Sequence, residues 1–360
     1  MTDNPILFNT AKIAKITLNT PEKLNALSAE MCIPLGNKLA DWRKDKNVKA
    51  VLITGAGDKA FCAGGDIVNV VNMGKQDINK ACNFFWSEYR TNWRIKTFPK
   101  PYIAFIDGIV MGGGVGVSVH GNYRITTERT MLAMPETTIG FFPDVGGTYF
   151  LSRLEGNMGM FLGLTGFRIF AKDLLQLGIA THYIHSSKLA ALEAAFNDIE
   201  FGEDGFEEVE TVLNTHCTQP EDASKLAEIK LQANALFEGD KLSTIFDNLN
   251  ADGGEFATKM LKTLSRMSPT SLAITFEQLK RGKHLSFENC MKLEMRLAYH
   301  IMQAPDFYEG VRALLVDKDK NPKWQPAKLA DVTKEMIKGY FAIIDNELTL
   351  DWENPVEQDK

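Results

Sequence analysis

Apolar and polar residues alternate from Ala14 to Asn19, with Ala14, Ile16 and Leu18 on one side and Lys15, Thr17 and Asn19 on the other. A period of two predicts a half-buried strand. Further on, Met31, Leu35, Leu39 and Trp42 recur at helical spacing behind Ser28, a residue type that caps helix N-termini. Pro34 lies early in that segment, where a helix tolerates it if the cap lies later than Ser28. The runs AVLITG (Ala50 to Gly55) and PYIAFIDG (Pro101 to Gly108) are short and continuously apolar, the pattern of strands buried on both faces. A helix is predicted over Asn79 to Lys96. Strands alternating with helices define an α/β chain with largely parallel strands.

From about Lys188 the texture changes. Leu189 to Phe196, Glu207 to Leu213 and Ser224 to Phe237 are polar and helix-favouring, and Ser268 to Leu315 is helical in pattern again. The expected organisation is an α/β core over residues 1–190, a helical insertion over 191–265 and a C-terminal helical region over 266–360. The segment DKDKNPKW, Asp317 to Trp324, reads as a charged turn.

Composition narrows the function. A chain of 360 residues that is 44% hydrophobic has material for one large core or two small ones. The net charge of −6 argues against a nucleic-acid partner, while leaving room for a local contact with a phosphorylated ligand. Five scattered cysteines offer neither a disulfide framework nor metal-ligand spacing, so they read as free thiols in a reducing compartment. The opening MTDNPILFNT lacks the pattern of a signal peptide or a transit peptide. No apolar run reaches the length of about 20 residues that a transmembrane helix needs. The expectation is a cytoplasmic protein with no membrane partner.

Three glycine-rich stretches carry the candidate chemistry. FCAGGDI (Phe61 to Ile67) and DGIVMGGGVGVSVHG (Asp107 to Gly121) each follow a strand, and the tail of the second is apolar enough for a buried helix. Glycines at a strand-to-helix turn let a ligand approach the backbone, and they leave uncommitted N–H groups at the helix start. Two such loops meeting at one point form an oxyanion hole, whose donors are each worth roughly 3–4 kcal/mol in a transition state. Tight turns or close packing would also explain either loop alone. The third stretch, AMPETTIGFFPDVGGTYFLSRL (Ala133 to Leu154), sets Glu136 and Asp144 among Met134, Ile139, Phe141, Phe142 and Val145. Apolar surroundings disfavour an ionised carboxylate and suit it to acid/base work. The plainer alternative is that Asp144 caps a helix starting near Gly146. Cys62 has no histidine in a nearby motif to activate it and reads as a small buried thiol. His120 reads as a packed or hydrogen-bonded residue rather than a base.

The order of these stretches resembles the crotonase (enoyl-CoA hydratase/isomerase) superfamily. LNTPEKLNAL (Leu18 to Leu27) is similar to its N-terminal strand and CoA-contacting turn, and FCAGGDI to its first oxyanion loop. TGFRIFAKDLLQLGIATHYI (Thr165 to Ile184) is similar to the helix and strand that close its core. MGGGVGVSVHG, PETTIGFFPDVGG and DFYEGVRALLVDKDKNPKW (Asp306 to Trp324) most resemble the 3-hydroxyisobutyryl-CoA hydrolase branch, leaving only the region around residues 190–265 poorly matched.

The resemblance implies a ββα spiral core, an acyl-CoA thioester as substrate, and no metal or redox cofactor, CoA arriving as part of the substrate. By the same carry-over, Gly65 and Gly113 supply the two oxyanion N–H groups and Glu136 is the catalytic glutamate. Asp144 is the hydrolase's second acidic residue, and Glu88 lies near the substrate hydroxyl. Ala26, Ala63 and Ile67 line the pantetheine and adenine path, and Lys23 is a phosphate contact. One position departs from the hydratase pattern: the first of the two hydratase glutamates is replaced by Gly116, which argues against water addition by two glutamates. The resemblance to the hydrolase branch implies hydrolysis of a short branched β-hydroxyacyl-CoA, with Glu136 attacking the carbonyl carbon or activating water. The alternatives are an enoyl-CoA hydratase or isomerase of the same fold, with isomerisation able to run on Glu136 alone, and a non-catalytic CoA, protein or RNA binder. Retention of Glu136 with both glycine loops argues against the binder. Superfamily relatives often form trimers, and the hydrolase branch has extra helices able to replace subunit contacts, so a homo-oligomer stays an open expectation.

Overall fold

The computed structural model describes residues 4–202 and 205–357. Its strands are β1 (Ile6–Asn9), β2 (Ile13–Leu18), β3 (Ala50–Gly55), β4 (Ala60–Cys62), β5 (Tyr102–Ile106), β6 (Ile109–Met111), β7 (Tyr123–Thr126), β8 (Met131–Ala133), β9 (Ile169–Phe170) and β10 (His182–Tyr183). One sheet has the order β1-β2-β3-β5-β7-β10 and the other β4-β6-β8-β9. In the first, β1 runs antiparallel to β2 and the remaining pairs are parallel. In the second, β4, β6 and β8 are parallel and β9 closes antiparallel. From β3 to β8 successive strands fall alternately in the two sheets, so the chain winds in repeated strand–strand–helix turns. This is the ββα spiral that the resemblance implied.

Burial explains the sequence pattern. In β2, Ala14, Ile16 and Leu18 are buried while Lys15 and Thr17 are half-buried, whereas β5 is buried throughout. Both faces of the central strands are covered, which removes the alternation. Val51, Ile53, Tyr102 and Ala104 face the main core. Leu52, Ile103, Phe105 and Ile125 face a second core completed by Leu192, Phe196, Val209 and Leu213. Those last four come from the helices Leu189–Asn197 and Phe206–His216. The next three helices, Lys225–Leu236, Leu242–Asp252 and Glu255–Leu264, instead join the main core. There Phe237 and Phe256 pack on Phe161 with ring centroids 5.1 and 5.9 Å away. The stretch 191–265 is thus divided between two faces of the molecule.

Helix α1 (Ala29–Lys44) begins directly after Ser28, so Pro34 lies inside it rather than in its first turn. Burial of Met31, Leu35, Leu39 and Trp42 on one face holds the helix together across the hydrogen bond that proline cannot donate. Helices α2 (Ile67–Gln76) and α3 (Ile78–Lys96) follow the first glycine loop. The buried helix expected behind the second loop is only the single turn α4 (Gly113–Gly116). Among the described residues no helix is long and apolar enough to cross a membrane.

Candidate active site

The two glycine loops meet. Strands β4 and β6 are neighbours, so the turns that leave them emerge side by side. Around the first turn the chain is pinned to the segment Leu24 to Leu27: Ala63 N–H donates to Leu24, Leu27 N–H to Gly64, and Asp66 N–H to Leu27, at 2.7–3.0 Å. That segment is itself held by fully buried Asn25, whose side chain accepts from Thr20 N–H and donates to Ala56 and Ala60 carbonyls. Neither Gly65 N–H nor Gly113 N–H has an acceptor among the described residues. A methyl group built on Gly113 would lie 3.4 Å from Gly65 N and 2.5 Å from Glu88 Oε1. Gly65 N and a Glu88 carboxyl oxygen therefore both lie close beside Gly113. Gly112 (φ +44) completes the turn, and a side chain there would meet Glu136 Oε1 at 2.9 Å.

These residues line a cavity of about 350 Å³ with Ala63, Ile67, Phe85, Glu88, Glu136 and Asp144. Glu88 is 2% exposed, Glu136 6% and Asp144 5%. Glu88 Oε1 and Glu136 Oε2 are buried without a hydrogen-bond partner, an arrangement that costs stability and recurs at sites built for a ligand. Asp144 Oδ2 accepts from Tyr89 Oη at 2.9 Å. Asp144 does not cap the helix Gly147–Leu151 with its side chain; that N-terminus is met by Glu294, which accepts from Gly146 and Thr148 N–H.

Electrostatics follow from burial. Desolvation first, then the charges of Asp144, Glu136 and Glu294, push the Glu88 carboxyl well above the usual carboxylate range. Desolvation and then Asp144 do the same to Glu136. Asp144 is pushed by burial up to about 7, against the lowering effect of the Tyr89 hydroxyl. Burial thus raises all three carboxyl groups above the ordinary carboxylate range, the direction that suits a group to exchange protons with a substrate.

Not every expected residue lies in the cavity. Ala63 and Ile67 do, but Lys23 and Ala26 line a separate groove of about 560 Å³ with Ser28, Asp66 and Asn69. The groove and the cavity flank the same paired segments, 24–27 and 63–66. Cys62 is fully buried, its thiol pushed up to about 12 by desolvation. His120 is 6% exposed, donates from Nε2 to Val145 O at 2.7 Å, and is pushed down to about 3 by burial. Neither side chain lines the cavity. The sequence reading missed Tyr89, Glu294 and the cavity wall made by Leu314 and Leu315. That wall belongs to a π-helical turn, Arg312–Val316. Arg312 steadies it through Glu309, Asp317 and Asp319 at 2.7–2.8 Å, so the charged turn Asp317 to Trp324 supports the cavity. A signal for Glu294 was present: it falls on the apolar stripe Cys290, Leu297 and Ile301, where a solvated charge has no place.

A spiral of ββα turns presenting two acceptor-free backbone N–H groups opposite buried carboxyl groups defines an oxyanion-stabilising class of site, suited to chemistry at a carbonyl. The family model for enoyl-CoA hydratase/isomerase matches residues 13–341, and the chain belongs to that family. It is 45% identical to the mitochondrial 3-hydroxyisobutyryl-CoA hydrolase of Danio rerio, covering 94% of this chain and 90% of that one. It is 48% identical to the Xenopus laevis protein of the same name and 44% to that of Homo sapiens, covering in both cases 91% of this chain and 85% of the relative. Among solved structures it is similar to a carnitinyl-CoA dehydratase from Mycobacterium thermoresistibile, at 38% identity and TM-score 0.90 over 97% of this chain and 99% of that one. It is also similar to an enoyl-CoA hydratase from Rhodobacter sphaeroides, at 34% identity and TM-score 0.87 over 96% and 100%. The cytoplasmic expectation is corrected by these names, since the three hydrolase relatives are called mitochondrial. It rested on a missing leader pattern, which does not assign a compartment.

Proposed function

We propose that this chain hydrolyses a short branched β-hydroxyacyl-CoA thioester, 3-hydroxyisobutyryl-CoA, to the free acid and CoA. The observation that carries the reading is the pairing of two acceptor-free N–H groups, on Gly65 and Gly113, with the unpartnered carboxylate oxygens of Glu88 and Glu136. The thioester oxygen accepts from both N–H groups, which stabilise the negative charge it gains when the carbonyl carbon is attacked. Glu136 acts as a carboxylate, either as nucleophile or as the base that takes a proton from water; burial makes it basic enough for both roles. Asp144, held by Tyr89, orients that water or passes its proton on. Glu88 accepts a hydrogen bond from the β-hydroxyl, and an acyl group without that hydroxyl leaves the carboxyl unpaired. The CoA part follows the ribbon past Ala63 and Ile67 to the groove at Ala26, where Lys23 meets a phosphate.

The two similar solved structures are described as a dehydratase and a hydratase, which favours a second reading, water addition to an enoyl-CoA. Against it stands Gly116. A side chain there would lie 2.6 Å from Val145 Cβ and 2.9 Å from Asn92 Nδ2, so the place of the first hydratase glutamate is filled by packing. The deciding experiment follows thiol release from 3-hydroxyisobutyryl-CoA and hydration of crotonyl-CoA with the same enzyme. Thiol release without hydration supports the hydrolase; hydration without thiol release replaces it with the second reading.

A further inference from the structure

The Asp144 turn is under strain and is held from a distance. Val145, a branched residue, has φ +50, a region that such side chains avoid unless the surroundings impose it. Four side chains do so. Tyr89 Oη donates to Asp144 and His120 Nε2 to the Val145 carbonyl. Gln278 Nε2 donates to the Pro143 carbonyl at 2.7 Å. Glu294 accepts from Gly146 N–H at 2.7 Å and Thr148 N–H at 2.9 Å, one with each carboxylate oxygen.

Glu294 is the unusual member of this set. It is fully buried on the helix Phe287–Ile301 of the C-terminal region. Burying a carboxylate there is unfavourable, and a serine or aspartate on the turn itself would cap the short helix at less cost. What a local cap would lack is a fixed anchor outside the turn. By gripping two N–H groups just beyond Val145 with both oxygens, Glu294 sets where the chain leaves the turn and therefore where Asp144 points.

We propose that Glu294 is a positioning residue: its carboxylate, reaching in from the C-terminal region, fixes the strained turn so that Asp144 faces the cavity. The inference rests on the hydrolase reading for what Asp144 then does. Glu294→Gln keeps the size but replaces one acceptor oxygen with a donor, so one of the two N–H groups loses its partner. The test is a double-mutant cycle with Asp144→Asn, read as kcat and KM for thiol release. Glu294→Gln lowers kcat on the order of 10²-fold with KM nearly unchanged, as expected for a small displacement of a working group. In the Asp144→Asn background the same change costs less than about twofold, because its route of action is already gone. Leu297→Ala, a buried change on the same helix, lowers Tm and leaves kcat as it was. An equal kcat loss from Glu294→Gln with and without Asp144, or a Glu294→Gln variant with lower Tm and unchanged kcat, overturns the proposal. If Glu294→Gln does not fold, Glu294→Asp, which keeps the carboxyl group and withdraws the reach, is put through the same cycle with the same criteria. If the wild type hydrates crotonyl-CoA and releases no thiol, the hydrolase reading fails, and the cycle is read on the hydration rate instead.

Discussion

Gly65 and Gly113 reach the cavity on turns that leave adjacent strands, and what shapes them lies on those strands or on the neighbouring segment 24–27. Asp144 reaches the same cavity on a turn whose partners Gln278 and Glu294 come 135 and 148 residues later. One side of the site is made by the ββα spiral, and the other is completed by helices outside it. Donors of the oxyanion type need only backbone geometry, which short glycine runs encode locally. A carboxylate aimed from a strained turn needs rigid packing behind it, and here the C-terminal region supplies that packing.

The sharpest break on the donor side is Gly113→Ala. The added methyl occupies the space between Gly65 N and Glu88 Oε1, where the proposed reading seats the thioester oxygen, so the expected kcat is lower on the order of 10²–10³-fold, as steady-state kinetics will report. Gly116→Glu probes the boundary between the two sides, since its side chain collides with Val145 and Asn92. It lowers stability by roughly 1–3 kcal/mol or more by overpacking, measured by denaturant unfolding, and confers no crotonyl-CoA hydration.

On the carboxylate side, Tyr89→Phe removes the hydrogen bond that lowers the Asp144 pKa from what burial alone would set. Loss of a donor to the charged form disfavours ionisation, so the Asp144 pKa rises above about 7. If ionised Asp144 is the working form, the acid limb of the kcat profile moves to higher pH. The loss at neutral pH is about tenfold and is recovered in alkaline buffer; a limb that moves down contradicts the assignment. The smallest effect is expected at Lys23, an exposed residue in the outer groove. Lys23→Ala raises KM by a factor of about 2–5 and leaves kcat unchanged, the scale of one solvent-exposed ion pair.

The same contrast decides what the sequence could reveal. The alternation of β2, the helical spacing of α1 and the three glycine-rich stretches are local signals, and each corresponds to what the chain builds there. Strands β4, β6 and β8 have only three residues each, too few for a period to register, so the second sheet was invisible without the resemblance. The helix after Gly113 stops at one turn, and Gly114 packs against Cys62, where even a methyl would come within 2.8 Å of its Cβ. Glu88 and Glu136 were recoverable by resemblance. Tyr89 was not, because its partner lies 55 positions away; the apolar stripe around Glu294 marks it as buried, but not its partner 148 positions away. Ala26 was placed with Ala63 and Ile67 on one path, with Lys23 as a phosphate contact; in the structure Lys23 and Ala26 line a groove, and Ala63 and Ile67 a cavity, on one ribbon.

The central claim is that Glu136, facing two free N–H groups, performs thioester hydrolysis. It is tested most directly by comparing wild type and Glu136→Gln in thiol release from 3-hydroxyisobutyryl-CoA, with binding of the same ester measured by calorimetry. The account predicts a kcat lower by about 10³-fold or more with the ester still bound at close to wild-type affinity. Undiminished thiol release from Glu136→Gln would contradict it and move the chemistry to Asp144 or Glu88.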